Sequence, residues 1–425
     1  MKKTITTIAL VTLSGSAFAQ SGLDIDRAYA AELRADASTR SSLLGSAGSA
    51  IDAEIFTQFR YTYDSVDEVT TTTLGDNDTT VGFSAPRTQV RLNGAVEGTD
   101  ITGHVSFDFG GAFNHTAGTG AGGAVLRDAY AAWGIDDNWT FLFGQMKNPF
   151  SYESNVAPEF SQGVERSLTN SFFDAGYGQG IALNYSDDEW KFTAFLSDGF
   201  NSANTFYNSA AESDISITGR LDWLISGNWD QFNDFASWQG SNTGFRVGAG
   251  IHWSQAGDTN PAGTVIDTAT VTAWTVDGQY EGDGWGVFAS YQSTNVDNDL
   301  VAGGSADQTD NGLVFQGNMF LTEQFEMFAR YDMIMLDDDV NAITPLAATD
   351  DDAYSTFTVG FNYYLVPESY AARFSMDVSF GLDDTSGLNA RSFGDAGTTG
   401  YIGGIPASAT VESDLMIRGQ FSLLF

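Results

Sequence analysis

Three sets of side chains in this 425-residue sequence are of types and spacings that could do chemistry. The first lies between Gly144 and Ser167, GQMKNPFSYESNVAPEFSQGVERS. Lys147, Glu153, Glu159, Glu165 and Arg166 stand there among Phe150, Tyr152 and Phe160, with Phe172 and Phe173 just beyond. Fixed charges beside apolar rings can shape the field felt by a small charged molecule, provided the segment sits in a partly wet enclosure. The second set is nine basic residues: Arg60, Arg87, Arg91, Lys191, Arg220, Arg246, Arg330, Arg373 and Arg418. Each falls on the polar side of an alternating stretch. Such a row is either the ordinary polar half of a strand or an electropositive track for anions. Asp108, Asp222, Asp277, Glu326, Asp332, Asp377 and Asp414 share that side and oppose the second use. The third set is His104 with Ser106, a base and a nucleophile two residues apart.

Little else points to catalysis. The histidines are His104, His115 and His252, and cysteine is absent, so neither a metal site nor a cofactor is expected. A lipid-hydrolysing barrel needs its nucleophile toward the bilayer, whereas His104 and Ser106 both fall on the polar side. An enzyme is not expected. The runs Asp337-Asp338-Asp339, Asp350-Asp351-Asp352 and Asp383-Asp384 lack the spacing of a calcium loop and read as a solvated rim. Gly118 to Gly123 is not followed by Lys-Ser/Thr, so it reads as a loop tip and not a phosphate cradle. A net charge of -37 argues against nucleic acid as a partner.

The elements that must position these residues begin after a leader. Lys2 and Lys3, the apolar run Ile5 to Leu13 and Ala17-Phe18-Ala19 make residues 1–19 a secretory signal peptide. Residues 20–50 place Ile25, Tyr29, Leu33, Ala37 and Leu44 on one helical face and end in a Gly/Ser linker, so a short periplasmic helix is expected; a coiled coil is the alternative.

From residue 51 to residue 425 the period is two. Sixteen alternating segments can be read, at 54–63, 86–96, 101–109, 125–133, 139–147, 179–185, 190–198, 214–223, 245–253, 268–280, 285–292, 311–321, 325–333, 354–364, 371–380 and 413–425. Most have the nine to eleven residues that cross a bilayer at a tilt. Phe141 and Phe143 fall in phase with Gln145 and Lys147, which leaves the fourth and fifth segments ambiguous. Connections alternate between short, such as Gly98-Thr99-Asp100 and Gly282-Asp283-Gly284, and long, such as 148–178 and 381–412. That inequality is the mark of an outer-membrane barrel. Only Pro86 of the seven prolines touches a segment, at its first residue. The connection 224–244 breaks the rule: it is long, lies on the short-turn side and carries Trp229, Phe232, Phe235 and Trp238. The chain ends in an apolar face from Leu415 to Phe425 that suits closure against the first strand. A soluble sandwich, the competing fold, would have shorter strands and less unequal loops.

The run LRDAYAAWGIDDNWTFLFGQMKNPFSYES, then ERSLTNSFF and YGQGIALNYSDDEWKFTAFLSDG, resembles the phosphate-selective porin O and P family. Gly144, Gln145, Lys147, Pro149, Phe150, Ser151 and Glu153, followed by Glu165, Arg166 and Ser167, carry the likeness, with Arg87 and Arg91 in SAPRTQVRLNGAVEG. The resemblance implies a sixteen-stranded trimeric porin with an inward-folded third loop. It also implies a bore rich in Lys and Arg, from which this chain departs, because acids intrude.

The expectation is therefore a sixteen-stranded antiparallel transmembrane β-barrel with long extracellular loops, in the outer membrane of a Gram-negative-type bacterium. It would be a passive channel for small hydrophilic solutes or ions, with anions such as phosphate as candidate cargo. Its partners would be outer-membrane lipid, the solute and, from the resemblance, two further copies in a homotrimer. Lys147, Glu153, Glu165 and Arg166 are the expected constriction, and the nine basic residues the expected lining. A structural or surface-interaction barrel with a plugged lumen is the alternative.

Overall fold

The computed structural model describes residues 51–67, 79–109, 124–206, 212–256, 269–298, 306–337, 353–383 and 413–425. The expected leader and the segment 20–50 lie outside them, as do His115, Gly118 to Gly123, the aspartates 338, 339 and 350–352, and Asp384.

One antiparallel sheet contains every strand of the described residues. In chain order these are β1 Ile51–Asp67, β2 Thr79–Ser84, β3 Thr88–Ala95, β4 Ile101–Asp108, β5 Val125–Gly134, β6 Trp139–Lys147, β7 Tyr177–Ser186, β8 Trp190–Ser197, β9 Ser213–Ser226, β10 Gly244–Ala256, β11 Ala269–Glu281, β12 Trp285–Asn298, β13 Ala306–Thr322, β14 Phe325–Met335, β15 Ala353–Tyr364, β16 Ala372–Gly381 and β17 Ser413–Leu424. Apart from β2 and β3, which both pair with β1, each pairs with its neighbour in sequence, and β1 pairs with β17 from Phe56↔Leu424 to Asp67↔Ser413, so the sheet closes on itself. Closure removes the free edges that an open sheet of this size would leave.

β2 and β3 are two halves of one stave. Both pair with β1, through Arg60↔Ser84 and Thr57↔Thr88. Pro86 sits in the break, where its missing N–H would interrupt a ladder. The wall thus has sixteen staves. Residues 79–84, expected in a long connection, are instead the outer half of the second stave. The ladder runs on through them although Val81 and Phe83 alone show alternation.

Burial explains the alternation. In β14, Glu326, Phe328, Arg330, Asp332 and Ile334 are buried while Met327 and Ala329 are exposed. On the outer surface Phe59, Ile217, Ile251, Phe315 and Met327 are 49–60% exposed. Apolar outside and polar inside is the reverse of a soluble protein, and it suits a wall whose outer solvent is lipid. None of the described helices is long and apolar enough to cross a membrane.

Two local irregularities break the period. Between β4 and β5 the register shifts, so that Arg127 and Asp128 together face Ser106. This is a β-bulge, pinned by Ser106, whose Oγ donates to Asp128 Oδ2 at 2.6 Å and accepts from Asp128 N at 3.0 Å. In β6, Gly144 has φ +131°, and a Cβ there would lie 2.2 Å from Ala129 O. The ambiguity in that strand is real: before Gly144 the rings of Phe141 and Phe143 point outward in step, and after it both Gln145 and Met146 are buried.

Candidate functional site

Residues 148–176, between β6 and β7, form a pinched loop. Asn148 closes its base, with Nδ2 donating to Ala175 O at 2.8 Å and N to Gly176 O at 2.9 Å. Ser151 caps a short helix, Tyr152–Asn155, and Ser167 caps another, Leu168–Phe172, through Oγ accepting from Asn170 N at 2.9 Å. Such caps let a polar segment end its helices without orphaned donors.

The loop is bound to the polar face of the wall on two adjoining arcs, one on either side of β17. On one arc, Glu165 accepts from Arg87 of the second stave at 2.6 and 3.1 Å and from Arg60 of β1 at 2.5 Å. Burial alone would raise the Glu165 carboxyl, but Arg60 and Arg87 outweigh it and hold it well below the usual range. Glu159 pairs with Arg91 at 2.8 Å, and Arg91 also meets Glu54 at 2.6 Å.

On the other arc, wall side chains satisfy the loop backbone. Asp332 accepts from Leu168 N at 2.8 Å, Asp377 from Val164 N at 3.0 Å, and Arg330 donates to Glu165 O at 3.0 Å and Arg166 O at 3.2 Å. Arg373 donates to Ser161 O at 2.9 Å. Glu326 accepts from Gln162, Asn318, Asn362 and Tyr364 at 2.6–3.0 Å. An irregular segment carries backbone groups that need partners, and these buried acids and bases supply them.

Within the loop, Glu153 accepts from Ser167 N at 2.7 Å and Ser167 Oγ at 2.6 Å. Its carboxyl is raised, chiefly by burial, against the lowering effect of Arg330 and Ser167. Arg166 donates to Glu153 O at 3.0 Å and Val156 O at 2.6 Å. Glu165 therefore turns to the wall, while Arg166 turns back into its own loop.

The remaining expected lining residues divide. Arg220 and Arg246 form a four-charge cluster with Asp222 and Asp277, with contacts of 2.6–3.2 Å. Arg246 lies 3.2 Å from the Tyr152 ring centroid. Arg418 pairs with Asp377 at 2.8 Å. The side chains of Arg220, Arg246, Arg330 and Arg418 are only 1–5% exposed. Lys191 is half-buried over the Trp229 ring at 4.5 Å. Lys147 shares the ring of Tyr177 with Arg127: Nζ is 5.6 Å and Arg127 Cζ 5.7 Å from its centroid. Asp174, which burial would raise, is held below its usual range by Lys147, Ser154 and Arg166. Lys147, Arg127 and Arg166 thus gather in one place.

Arg127 is missing from the residues expected of the site. Strict alternation puts it on the same face as Trp133, toward lipid; the bulge opposite Ser106 turns it inward. His104 and Ser106 do not form a base and nucleophile. The Ser106 hydroxyl donates to Asp128, while His104 Nδ1 bonds Asn93 Oδ1 at 2.6 Å. His252 is buried against Thr218 and stacks on Phe200. Among the described residues no cluster of metal-ligating side chains occurs.

A closed sixteen-stave wall with an apolar exterior, a charged interior and long connections on one side defines a porin-type transmembrane barrel. A family model described as phosphate-selective porin O and P matches residues 56–392, and the chain belongs to that family. It is an outer-membrane protein forming a passive diffusion channel. Among solved structures it is similar to an anion-selective porin from Comamonas acidovorans (TM-score 0.57, 13% identity, covering 89% of this chain and 100% of that one). It is similar also to the outer-membrane channel DcaP of Acinetobacter baumannii (TM-score 0.55, 14% identity, 89% and 99%) and to the trimer form of OmpT of Vibrio cholerae (TM-score 0.52, 15% identity, 88% and 100%). No curated protein matches the sequence.

Proposed function

We propose that residues 148–176 fold into the bore and narrow it, and that the channel passes small anions in preference to cations. The observation that supports this is that Arg127 and Lys147 share the ring of Tyr177 beside Asp174, while Glu159 and Glu165 are already neutralised by wall arginines. Cations left partly uncompensated in a narrow, low-dielectric passage raise the local concentration of anions. Phosphate is one candidate among them. The likeness to a trimeric neighbour supports a homotrimer, and the porin family and fold favour a channel over an enzyme. Reversal potentials in a potassium chloride gradient test the reading. The wild type should show an anion-selective sign, and Lys147→Glu combined with Arg127→Glu should move it toward cations. A cation-selective wild type overturns it.

A plugged structural barrel is the second reading, favoured by the deep burial of the inward side chains on β10–β17. Discrete single-channel current steps exclude it; their absence from folded protein in a planar bilayer supports it.

A further inference from the structure

The middle of the connection between β9 and β10, on the short-turn side, leaves the surface, whereas its two ends are exposed. It makes a helical turn at Trp229–Asn233, boxed by Asn228 and Gln231, and then buries Phe232, Phe235, Ala236 and Trp238. Phe235 clusters with Phe288 of β12, Val314 of β13 and Val156 of the loop. Trp238 stands against Phe320, Tyr364 and Tyr370, with ring centroids 4.7, 4.6 and 5.7 Å away. Gln279 of β11 donates to Asp234 O at 2.8 Å. Apart from Val156 of the loop and Tyr370 of the β15–β16 turn, these partners belong to the inward face of the wall.

The same residues touch the loop that enters from the opposite end. Tyr152 Oη donates to Phe232 O at 2.5 Å, and the Tyr152 and Phe235 rings meet edge-on at 5.6 Å. Phe160 meets Tyr370 at 4.9 Å. Two segments, one from each end, join through an aromatic seam. Burial of these rings away from water holds the seam together.

The consequence shows in the wall. Inward polar residues of β11–β17 are sealed: Gln316 is 3% exposed, Thr358 1%, and Ser375 and Gln420 0%. On β3–β8 several inward residues stay open, beside buried ones such as Ser106, Asp108, Gln145 and Ser197. Asn93 is exposed, the side chains of His104, Asp128 and Arg127 are 20%, 19% and 27% exposed, and Lys191 and Thr193 are half-buried.

We infer that the connection 227–243 is a plug which, with residues 148–176, fills the β10–β17 half of the lumen, so that the solute path runs along β3–β8 past Asn93, His104, Arg127, Asp128 and Lys191. This deepens the channel reading above and rests on the loop lying in the bore. The five buried or sealed arginines, Arg220, Arg246, Arg330, Arg373 and Arg418, then hold the filling in place and never meet the solute.

The chain has no cysteine, so single cysteines report access directly. Asn93→Cys and Thr193→Cys probe the open side. Ser375→Cys, nearly isosteric, and Gln316→Cys, which lines the same small gap as Phe235 and Gln162, probe the filled side. Folded protein in detergent is treated with an anionic methanethiosulfonate, and labelling is followed by mass. N93C and T193C should label readily, whereas S375C and Q316C should label at least about tenfold more slowly, because they must wait for local opening. Adding Phe235→Ala should speed Q316C and leave N93C unchanged. Equal rates on the two sides overturn the filled half, and no effect of Phe235→Ala overturns the connection as its plug. In planar bilayers, labelled N93C should carry less current than unlabelled. The expected labelling pattern with no current at all would sink the channel reading while supporting the filled half.

Discussion

Arg87 grips Glu165 through both carboxylate oxygens, with Nη2 2.6 Å from Oε2 and Nη1 3.1 Å from Oε1. The two residues are 78 positions apart in sequence, and the pair ties the loop to the second stave. Arg60 reaches the same carboxylate from β1, so one acid holds two staves and a loop together. Bidentate geometry makes this a directional clamp as well as a charge pair.

Removing that carboxylate's charge should loosen the loop. Glu165→Gln leaves Arg60 and Arg87 facing each other and should cost about 2 kcal/mol, since the charged hydrogen bonds it removes are worth 1.5–3 kcal/mol each and the site is partly wet. Thermal unfolding should show the loss, and single-channel records should become noisier. The pH dependence has a definite sign. Glu165 is depressed in the folded state, so its stabilisation is full above the ordinary value of 4.5 and is lost only as pH falls through a folded value well below that. Loop order should therefore be insensitive to pH between neutrality and mild acid. A melting temperature that drops steeply between pH 7 and pH 5 in the wild type, and not in Glu165→Gln, would contradict the clamp.

Glu153 should behave in the opposite way. Burial raises its carboxyl, so the folded protein holds that proton more tightly than the unfolded chain. Its contribution is greatest below the ordinary value of 4.5, declines as pH climbs from there to the raised folded value, and is flat above it. Glu153→Gln keeps an acceptor for Ser167 N and places an amide donor against Ser167 Oγ. Its stability at pH 7 should lie within about 1 kcal/mol of wild type, and the decline between those values should disappear. A large loss of stability in the variant at neutral pH would show that the charge itself is needed.

Glycines at two wall positions give a folding test. A Cβ at Gly144 would sit 2.2 Å from Ala129 O, on a backbone with φ +131°, whereas a Cβ at Gly103 meets nothing within 4 Å. Gly144→Ala should destabilise by more than about 3 kcal/mol, combining strain and a backbone clash. Gly103→Ala should be close to neutral. Comparable folded yields of the two variants would mean that the turn of phase in β6 does not depend on Gly144.

Those two glycines also mark where the amino-acid pattern is and is not legible. The staves could be read because each has one face in contact with lipid, and a face in one solvent must repeat every second residue. Thr79–Ser84 escaped because Pro86 cut it from its other half and left only Val81 and Phe83 as alternating apolar residues. Arg127 escaped because a bulge adds one residue to the count and reverses the side on which every later residue falls. The aromatics of the loop pointed to an enclosure, but its partners were not legible: Glu165 stands beside Arg166 in sequence and binds Arg60, 105 positions away. The connection 227–243 had no legible role because its rings follow neither period. They fill space between two segments whose meeting is set by the closed wall.

Arg166 separates two uses of a cation in a narrow passage. If it chiefly set the field, it would present its guanidinium to the solute. Its hydrogen bonds instead run to Glu153 O and Val156 O, where they staple the first turn of the loop to the residues after Glu165. Arg330 in turn donates to Arg166 O, so the staple is itself fixed to β14. Arg166→Ala should therefore raise conductance and noise by letting the Tyr152–Asn155 turn swing, at a cost of about 1–3 kcal/mol for the unpaired carbonyls. Arg166→Glu adds repulsion against those carbonyls and should enlarge the same effect. Deleting residues 155–170 should raise conductance further by removing the narrowing altogether. The informative comparison is between conductance and reversal potential in the same bilayer. A stapling role predicts that Arg166→Ala changes conductance and noise far more than selectivity. A reversal potential that shifts strongly at unchanged conductance and noise would assign Arg166 to the field, and an unchanged conductance after the deletion would remove the loop from the constriction.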